Sequence, residues 1–593
     1  MVRKKSGKRE YTSNPYQDRI VTLQLGTPEK QIVLDARNAN LDVLKPLLES
    51  ATLIGVNLKF DLRFLYHVGI RPMKVVDLMV TERLLWNGLP FSEEYGAGFQ
   101  LLAKKYLDID IDKELQAYTA TMNWEQELDA KFIEYARLDV AHLHEIMEKQ
   151  QQVLSLRKQT NAASLENAFV PVLADREYYG VHIDTTKLTP LMKESQKMAD
   201  EKMEEINNIL IANAPVNCPT KVAGKPKMMT PVVQYEAQKG IVTKSTVSWS
   251  SNEQALTALS CMGIDLDNFR EETLIDNSHH KIIELILEWK KYNSIINKFL
   301  KPLPDFINPV SKRVHPQWNQ MVQSGRESVS NPNVQQISSK HELGKMIRNA
   351  FVAPEGWSVI TTDYSNFELR IIADMSGEPT WLKVFDDDGD LHSTVAAQVF
   401  NCDLSEVKTK KFNGTVVRTA AKAVNFLLSY GGSYIKLAAN LHCAEDVAKG
   451  IIDNYYSKLP KLEQWLESQG ERALQQGYAM SNSPIYRKRF VIPTKDKKER
   501  GAITRIGKNH PIQSTAADIV KLAQIHFYRY LQTTGHKAQM IMAVHDELVT
   551  ITPDELVNET LELQEKFMIQ AAREVLPTVA LKVDSMTLKH WSK

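Results

Sequence analysis

The chain has 593 residues, which is too many for one hydrophobic core and predicts two to four domains. Hydrophobic residues at 43% and charged residues at 24% are typical of a soluble globular protein. The formal net charge of +1 by itself favours no class of partner. Two basic runs, 221–244 and 487–508, make an anionic partner worth testing, although such runs are most often solvated surface.

Cysteine usage and hydropathy bear on where the protein works. The four cysteines, Cys218, Cys261, Cys402 and Cys443, form no CxxC pair, which argues against a disulfide framework or a zinc site and is typical of a reducing cytosol. No apolar run approaches the ~20 residues that span a bilayer, and the basic N-terminus MVRKKSGKRE lacks the apolar region of a signal peptide. We therefore expect a cytoplasmic protein with no membrane partner.

Residues 1–155 predict a compact α/β domain. Residues 1–15 are polar and basic and have no strand or helix period. From Arg19 the short apolar runs RIVTLQL and QIVLDA predict neighbouring strands, and helical stretches, a further strand (TLIGVNL) and a helix over 132–153 follow. Strands followed by helices in one short segment are typical of such a domain.

A helical arm is predicted over 165–305. LENAFVPVLADREYYG has apolar residues at i, i+3 and i+4, and long helical patterns cover 188–211 and the segment HHKIIELILEWKKYNSIINKFLKPL. Between them, 213–251 loses periodicity and is rich in Pro, Gly, Thr and Lys, which predicts an exposed basic tip.

The remaining segment, 306–593, mixes strands and helices and is the largest unit. SVITTDYSNFELRIIA predicts a strand, a turn and a helix, and RTAAKAVNFLLSYGG predicts a helix ending at Gly431. AQMIMAVHDELVTIT predicts two strands around a tight polar turn.

Two of these turns carry carboxylates suited to a hard metal ion. Asp363 follows the apolar strand SVITT, and Asp546 lies in the turn between MIMAV and LVTI. Magnesium typically takes one or two carboxylates plus substrate phosphates, and two such ions can drive phosphoryl transfer. Either Asp alone is more simply explained as a turn residue. Because the two lie 183 positions apart, their spacing does not decide between a metal site and two separate turns.

The helix in RTAAKAVNFLLSYGG favours the metal interpretation. Arg418, Lys422, Phe426 and Tyr430 recur every four residues, so they span roughly 120° of helix surface and ~18 Å of length. Two cations followed by two rings suit a nucleoside triphosphate lying along the helix. The alternative is a core helix with buried rings and surface cations, but the segment contains no acid to pair with either cation.

These segments resemble the motifs of family A DNA polymerases, the group of bacterial DNA polymerase I and phage replicative enzymes. TTDYSNFELRIIA resembles motif A, RTAAKAVNFLLSYGG motif B and AVHDELV motif C, and SGRESVSNPNVQQI, IRNAFVAPEGW, DLHSTVA and HPIQSTAADIVKLA also match, in family order. The resemblance implies an α/β and α+β multidomain chain: a ribonuclease H-like 3′–5′ exonuclease-like domain (1–155), then a right-hand polymerase domain with thumb (165–305), palm and fingers (306–593, fingers about 390–500).

The resemblance also implies partners and residue roles. Two Mg²⁺ ions, with Mn²⁺ as a possible substitute, bind Asp363, Asp546 and the Tyr364 backbone, with Glu547 beside them. Primer–template DNA and dNTPs are the substrates, and a processivity factor or replisome protein is a further partner. Lys422 also protonates the leaving pyrophosphate, and Glu368 is the gate that excludes a ribose 2′-OH. The residues that contact dNTP are Arg418, Lys422, Phe426, Tyr430, His392 and Glu368, and those that hold DNA are Arg326, Asn333, Gln335, Arg505, Asn509, Gln513 and His545.

Some positions depart from the family pattern. Asn366 and Phe367 replace the commoner Gln and Ile of motif A, changes that we expect to be tolerated. YRKRFVIP replaces the usual Gly-Arg-Arg run before Arg505, which puts its DNA contacts in doubt. The basic stretch 221–244 enlarges the thumb tip, where it predicts a grip on duplex DNA through phosphate neutralisation, or partner docking.

The exonuclease-like domain retains only part of its expected site. GVNLKFDLRFL and YARLDVAHL resemble two family motifs, which makes Asp61 and Asp139 metal ligands and Tyr135 the residue that orients water. The first motif, Asp-x-Glu, is absent: its positions fall near Gly7 and Arg9, and Glu10 is out of register. We therefore expect weak or absent proofreading. A missing upstream exon or a misplaced start codon is the alternative explanation.

Two rival functions are less well supported. RNA synthesis on the same fold is opposed by Glu368, and a non-catalytic DNA-binding scaffold has no need of Asp363, Lys422 and Asp546. No 5′-nuclease domain is expected before the exonuclease-like domain, and this favours a phage origin and a role in DNA replication.

Overall fold

The computed structural model divides the chain into two units. Unit one comprises 1–182, 308–336 and 353–591, and unit two comprises 183–307, 337–352 and 592–593. The structure describes residues 2–3, 9–10, 14–90, 96–111, 126–213, 218–222, 225–229, 232–237 and 240–592. None of the helices within these ranges combines the length and the apolar character needed to cross a membrane.

The first part of unit one is an α/β arrangement, as predicted. Its strands are β1 (Val2–Arg3), β2 (Arg9–Glu10), β3 (Thr22–Gly26), β4 (Gln31–Asp35), β5 (Leu53–Gly55) and β6 (Val75–Asp77). Its helices are α1 (Lys45–Ser50), α2 (Leu58–His67), α3 (Leu78–Leu85), α4 (Phe99–Leu107), α5 (Ala130–Ala141), α6 (Leu143–Arg157) and α7 (Thr160–Tyr179). β3 and β4 form a hairpin, whereas β5 and β6 are parallel because α2 carries the chain across between them.

The prediction that residues 1–15 contain no strand is wrong. β1 and β2 pair antiparallel, with Val2 opposite Glu10 and Arg3 opposite Arg9. Strands of two residues are too short to produce an alternating pattern, so the sequence carries no signal for them. Gly7, one of the positions of the missing exonuclease motif, lies outside the described residues.

Unit two contains two long helices that pack against each other, as the arm pattern predicts. Its helices are α8 (Thr185–Asn213), α9 (Asn252–Cys261), α10 (Glu271–Asp276), α11 (Lys281–Ile295) and α12 (Glu342–Arg348). The side chains that α8 buries recur at helical spacing and are Leu188, Leu191, Ser195, Ala199, Ile206 and Leu210. This apolar stripe is what joins α8 to its neighbours.

Two predictions about unit two are wrong. The segment between α8 and α9, expected to be an irregular tip, contains the strands β7 (Cys218–Val222), β8 (Lys225–Met229), β9 (Val232–Ala237) and β10 (Gly240–Ser245), which form two antiparallel hairpins. The Lys and Pro residues in these strands hide the strand pattern. Cys261 is disulfide-bonded, which corrects the expectation that the cysteines are unpaired.

The second part of unit one holds a four-stranded antiparallel sheet in the order β18–β19–β13–β20. The strands of this part are β11 (Gln317–Asn319), β12 (Ser328–Ser330), β13 (Trp357–Tyr364), β14 (Lys411–Phe412), β15 (Thr415–Val416), β16 (Tyr478–Met480), β17 (Lys488–Phe490), β18 (Gln539–Val544), β19 (Glu547–Pro553) and β20 (Val583–Leu588). The central strands β13 and β19 are almost fully buried, because helices cover the sheet.

Helices pack around this sheet and share one hydrophobic core with it. They are α13 (Phe367–Ser376), α14 (Pro379–Asp386), α15 (Leu391–Val399), α16 (Val417–Ser429), α17 (Tyr434–Leu441), α18 (Glu445–Lys458), α19 (Pro460–Gln476), α20 (Lys497–Thr534) and α21 (Val557–Val575). Tyr364 of β13 connects the sheet to these helices. Its ring is buried, and its hydroxyl donates to the Met568 carbonyl in α21 at 2.7 Å.

A buried ion network links α7 to this part of unit one. Arg487 lies 2.5 Å from Glu166 and 2.6 Å from Asp518, and Lys521 lies 2.5 Å from Glu166. All four side chains are at most 1% exposed, so each charge depends on its partners. Arg487 therefore supports the fold, and the start of the basic run 487–508 is not the solvated, anion-seeking surface that the charge count suggests.

Candidate active site

The structure brings the two predicted metal-binding carboxylates to one edge of the sheet. Asp363 lies near the end of β13, and the two-residue turn His545–Asp546 joins β18 to β19. His545 has φ +60°, the left-handed backbone that tight hairpin turns use. In the ladder Asp363 lies directly opposite Glu547, so Asp546 is one residue from the partner of Asp363. Sheet pairing closes the gap of 183 residues.

The backbone after Asp363 explains the motif A departures. Asn366 has φ +51° and precedes α13, and Asn tolerates this left-handed conformation better than most residues. Phe367 is buried and stacks on Tyr364, with ring centroids 4.1 Å apart and planes at 10°. Both side chains therefore stabilise the turn that presents Asp363 and Glu368.

The edge is strongly acidic. Burial is the main cause that raises the pKa of Asp546 to about 6, and the nearby carboxylates of Asp363 and Glu368 contribute to the same shift. Like charges held together in a partly desolvated place disfavour ionisation until a cation arrives. Among the described residues no three His, Cys, Asp or Glu side chains converge as a metal cage. A pair of carboxylates that shares its cations with substrate phosphates is the arrangement that magnesium uses.

Glu547 occupies a different position from the two aspartates. It is only 7% exposed, and the Trp591 indole Nε1–H donates to its Oε1 at 2.6 Å. On the other side of β13, Asp584 of β20 lies opposite Asp363. Neither Trp591 nor Asp584 was predicted as a site residue, because neither lies in one of the family motifs.

Glu368 is held by two of the other predicted site residues. The Arg326 guanidinium donates to Glu368 Oε1, and the Tyr430 hydroxyl donates to Glu368 Oε2. The side chain is 19% exposed. Glu368, the predicted sugar gate, therefore forms one cluster with Tyr430 at the end of α16 and with Arg326, a predicted DNA contact.

The predicted stripe lies along one open side of α16. Other positions of the helix are buried, namely Val417, Ala420, Ala421, Val424, Asn425, Leu428 and Ser429. Lys422 is exposed, while Arg418, Phe426 and Tyr430 are half-buried, so the rings are not core residues. Arg418 Nε donates to Asp390 Oδ2 at 2.6 Å, which gives this cation an acidic partner outside its own helix. Tyr430 caps the helix and Gly431, at φ +70°, ends it as predicted.

His392 faces the cationic part of this stripe as a neutral imidazole. Burial is the main cause that lowers its pKa to about 4, and the positive charge of Lys422 contributes to the same shift. Its Nδ1 lies 3.1 Å from the side-chain amide of Asn425, a fully buried residue of α16 that sequence analysis did not single out. With the amide donating to Nδ1, Nε2–H is the ring's free donor.

Six of the seven residues predicted to hold DNA fall into two groups. Arg326, Gln335 and His545 line a polar cleft of about 30 Å³, together with Glu327 and Lys521. That volume holds about one or two water molecules.

The second group lies on α20, where Arg505, Asn509 and Gln513 recur every four residues on one face. Arg505 is exposed and the other two are half-buried. Asn509 and Asn333 each bury a side-chain oxygen that has no hydrogen-bond partner in the part of the chain that the structure describes. Such oxygens require a donor from water or from a ligand.

The exonuclease-like site is only partly assembled from described residues. Tyr135 and Asp139 lie on one face of α5 and share a hydrogen bond, as their spacing predicts. Desolvation raises the pKa of Asp139 to about 6, and that of Asp61, which also lies near Asp77, to about 7. Asp77, missed in the sequence, accepts the backbone N–H groups of residues 57, 58, 79 and 80 and therefore anchors two helices.

A carboxylate-bearing palm sheet, a cationic and aromatic helix beside it and a preceding α/β domain define the class: a polymerase fold with an exonuclease-like domain. The chain belongs to DNA polymerase family A, whose model matches residues 244–593. A 3′–5′ exonuclease model matches residues 9–155. These matches confirm the predicted family and the predicted pair of domain types.

Known relatives agree with this membership. The chain is 31% identical to DNA polymerase I of Caldicellulosiruptor bescii over 71% of its length, 35% to the thermostable DNA polymerase I of Thermus aquaticus over 49%, and 28% to DNA polymerase I of Pseudomonas aeruginosa over 94%. It spans only 45%, 34% and 58% of these proteins.

A solved structure shares the fold. It is the POL domain of Pol1 from M. smegmatis in complex with DNA primer-template and dNTP, with a TM-score of 0.74 and 22% identity, and the match covers 95% of this chain and 91% of that one.

Proposed function

We propose that this chain is a DNA-directed DNA polymerase that adds dNTPs to a primer 3′-OH by two-metal phosphoryl transfer, in DNA replication. The observation that carries the proposal is the meeting of Asp363 and Asp546 at one sheet edge, where the pKa of Asp546 is raised to about 6. Family membership and the relatives described above support it.

The acidic edge fits divalent metal ions. Asp363 and Asp546, with the backbone carbonyl of Tyr364, would hold two Mg²⁺ ions, with Mn²⁺ as a substitute. Bound there, the ions supply charge neutralisation for an attacking hydroxyl and a leaving pyrophosphate. Asp546 is suited to bind a cation, because its ionised form is destabilised in the folded protein when no positive charge lies beside it.

The open side of α16 fits a nucleoside triphosphate. Lys422 is exposed and, with Arg418 and neutral His392, offers donors to phosphate oxygens. Arg418 exchanges its bond to Asp390 for phosphate when the nucleotide binds. Lys422 is also suited to give a proton to the leaving pyrophosphate, and Phe426 offers its half-buried ring to the sugar and base.

Glu368 selects the sugar. Its carboxylate is fixed by Tyr430, so it cannot swing aside for a 2′-OH at low cost. This fixed acid is the reason to favour DNA over RNA synthesis. Arg326, which also binds Glu368, is the group that exchanges this carboxylate for the primer when DNA binds.

Proofreading is proposed to be weak or absent. Asp61 and Asp139 are the carboxylates that remain of the expected site, because the Asp-x-Glu of the first exonuclease motif is absent from the sequence, and each metal ion needs its own anionic oxygens. The test is degradation of a 3′-mismatched primer. A rapid loss of the mismatched nucleotide that Asp61→Ala abolishes would refute this part of the proposal.

Partners beyond DNA and dNTP stay predictions. A processivity factor or replisome protein is one of the two roles proposed for the basic hairpins of unit two, and the other is a grip on duplex DNA. The relatives described above are bacterial, and the phage origin also stays a prediction.

Primer extension tests the proposed activity. Wild-type chain, a labelled primer–template and dNTPs should give extended primer with Mg²⁺ and none with EDTA. Lys422→Ala should lower the rate of nucleotide addition, because a phosphate and proton donor is lost. Lys458→Ala removes an exposed lysine elsewhere, on α18, and should extend primers normally. No extension by wild type, or equal rates for both variants, would contradict the proposal.

A further inference from the structure

Trp591 lies outside the elements that carry the proposed chemistry, yet its side chain reaches the acidic edge. Its indole Nε1–H donates to Glu547 Oε1 at 2.6 Å. Trp591 is fully buried and Glu547 is 7% exposed, so water competes little for this bond. A hydrogen bond from a buried donor to an ionised carboxylate is among the stronger ones in proteins.

The orientation of Glu547 matters because of its neighbours. It follows Asp546 directly and lies opposite Asp363 in the ladder between β13 and β19. Residues directly opposite in an antiparallel pair have Cβ atoms ~4.5–5.5 Å apart. A glutamate with three rotatable side-chain bonds is long enough, without restraint, to turn into the space that Asp363 and Asp546 share.

We propose that Trp591 is a positioning residue for strand synthesis: its indole N–H holds Glu547 so that this third carboxyl group stays beside Asp363 and Asp546 in one orientation. The inference rests on the proposed function, because the proposed metal ions are what the fixed carboxyl group acts on. Trp591 itself touches neither substrate nor metal. Groups that orient a residue at a metal site typically contribute 10–100-fold to metal affinity or activity.

A pair of matched substitutions separates the hydrogen bond from the packing. Trp591→Phe keeps an aromatic ring and removes the N–H. Trp381→Phe makes the same change at another fully buried tryptophan, whose Nε1 has no hydrogen-bond partner within the described ranges. Trp591→Phe should lower kcat for nucleotide addition about tenfold and raise the Mg²⁺ concentration for half-maximal rate, while the dNTP KM stays unchanged. Trp381→Phe should alter none of the three.

A double-mutant cycle shows whether Trp591 acts through Glu547. In a Glu547→Ala background the positioning role is already lost, so adding Trp591→Phe should cause no further fall in kcat. Effects that multiply instead would mean that Trp591 supports activity by another route and would overturn the proposal. Equal kcat values for Trp591→Phe and Trp381→Phe would also overturn it.

An NMR measurement that needs no enzymatic activity tests the hydrogen bond even if Trp591→Phe folds poorly. In the metal-free protein, the indole ¹⁵N–H resonance of Trp591 should shift in Glu547→Ala, because its acceptor is removed, while that of Trp381 should not. An unmoved Trp591 resonance would refute the hydrogen bond, and with it the proposal. This result is independent of whether Asp546→Ala stops synthesis, so the failure of the inference is distinguishable from the failure of the proposed function.

Discussion

Asp546→Asn should stabilise the metal-free protein above pH 6 while removing its activity. The wild-type folded state raises the pKa of Asp546 from its ordinary value of 3.8 to about 6, mainly by burial and then through Asp363 and Glu368. The folded state therefore binds a proton more tightly than the unfolded state between about pH 4 and 6, so wild-type stability falls as the pH rises through this window. Above pH 6 the ionised carboxylate lowers the free energy of unfolding by about 3 kcal/mol, which is the free-energy equivalent of the pKa difference between the folded and unfolded states.

The asparagine variant lacks this titration. Its free energy of unfolding, from denaturant titrations in EDTA, should match that of wild type near pH 4 and exceed it by up to about 3 kcal/mol at pH 8. Added Mg²⁺ should narrow the gap, because it stabilises the folded wild type by binding.

The control for this prediction is Asp554→Asn. Asp554 is held by Lys589 and Ser358, which lower its pKa, so its replacement should not stabilise the protein. A difference between Asp546→Asn and wild type that stays constant with pH, or that favours wild type at pH 8, would refute the reasoning.

Three further substitutions test separate parts of the site and fold. Arg487→Met should lower the free energy of unfolding by about 3–5 kcal/mol, because it leaves Glu166 and Asp518 as buried charges without their arginine partner. Denaturant titration measures this loss, and a clearly smaller loss would contradict the prediction. Glu368→Ala should raise ribonucleotide incorporation relative to dNTP in competitive primer extension, and unchanged sugar selection would remove Glu368 as the gate. Phe426→Tyr should make dideoxynucleotides terminate synthesis at lower concentrations, and unaltered termination would count against the nucleotide position along α16.

Local patterns were enough to predict the parts of the site that single segments build. The strand before Asp363, the turn at Asp546 and the four-residue spacing from Arg418 to Tyr430 each follow from one short stretch of sequence. Side-chain periodicity carries that information because it reflects which face of an element is buried. The choice between core ring and open ring at Phe426 did not follow from the spacing, which suits a core helix as well. It rested on the two cations of the stripe and on the absence of an acid in the segment, and the ring is half-buried in the structure.

Contacts between distant segments carried no such signal. Arg326 bonds Glu368, 42 residues away, and Trp591 bonds Glu547, 44 residues away. Glu166 and Arg487 pair across 321 positions, so the count of basic residues in 487–508 could not distinguish a buried structural arginine from an exposed one. The hairpins of unit two were missed for a different reason, since their polar composition hides the alternation of short strands.

Single-nucleotide insertion by Asp363→Ala and Asp546→Ala, beside wild type, tests the central claim most directly. With saturating primer–template, dNTP and Mg²⁺, both variants should bind DNA and remain folded, yet the rate of bond formation should fall to the limit of detection, because each loses half of the proposed ligand pair. Near-wild-type insertion by either variant would contradict the claim that the two aspartates share the metal ions that join nucleotides.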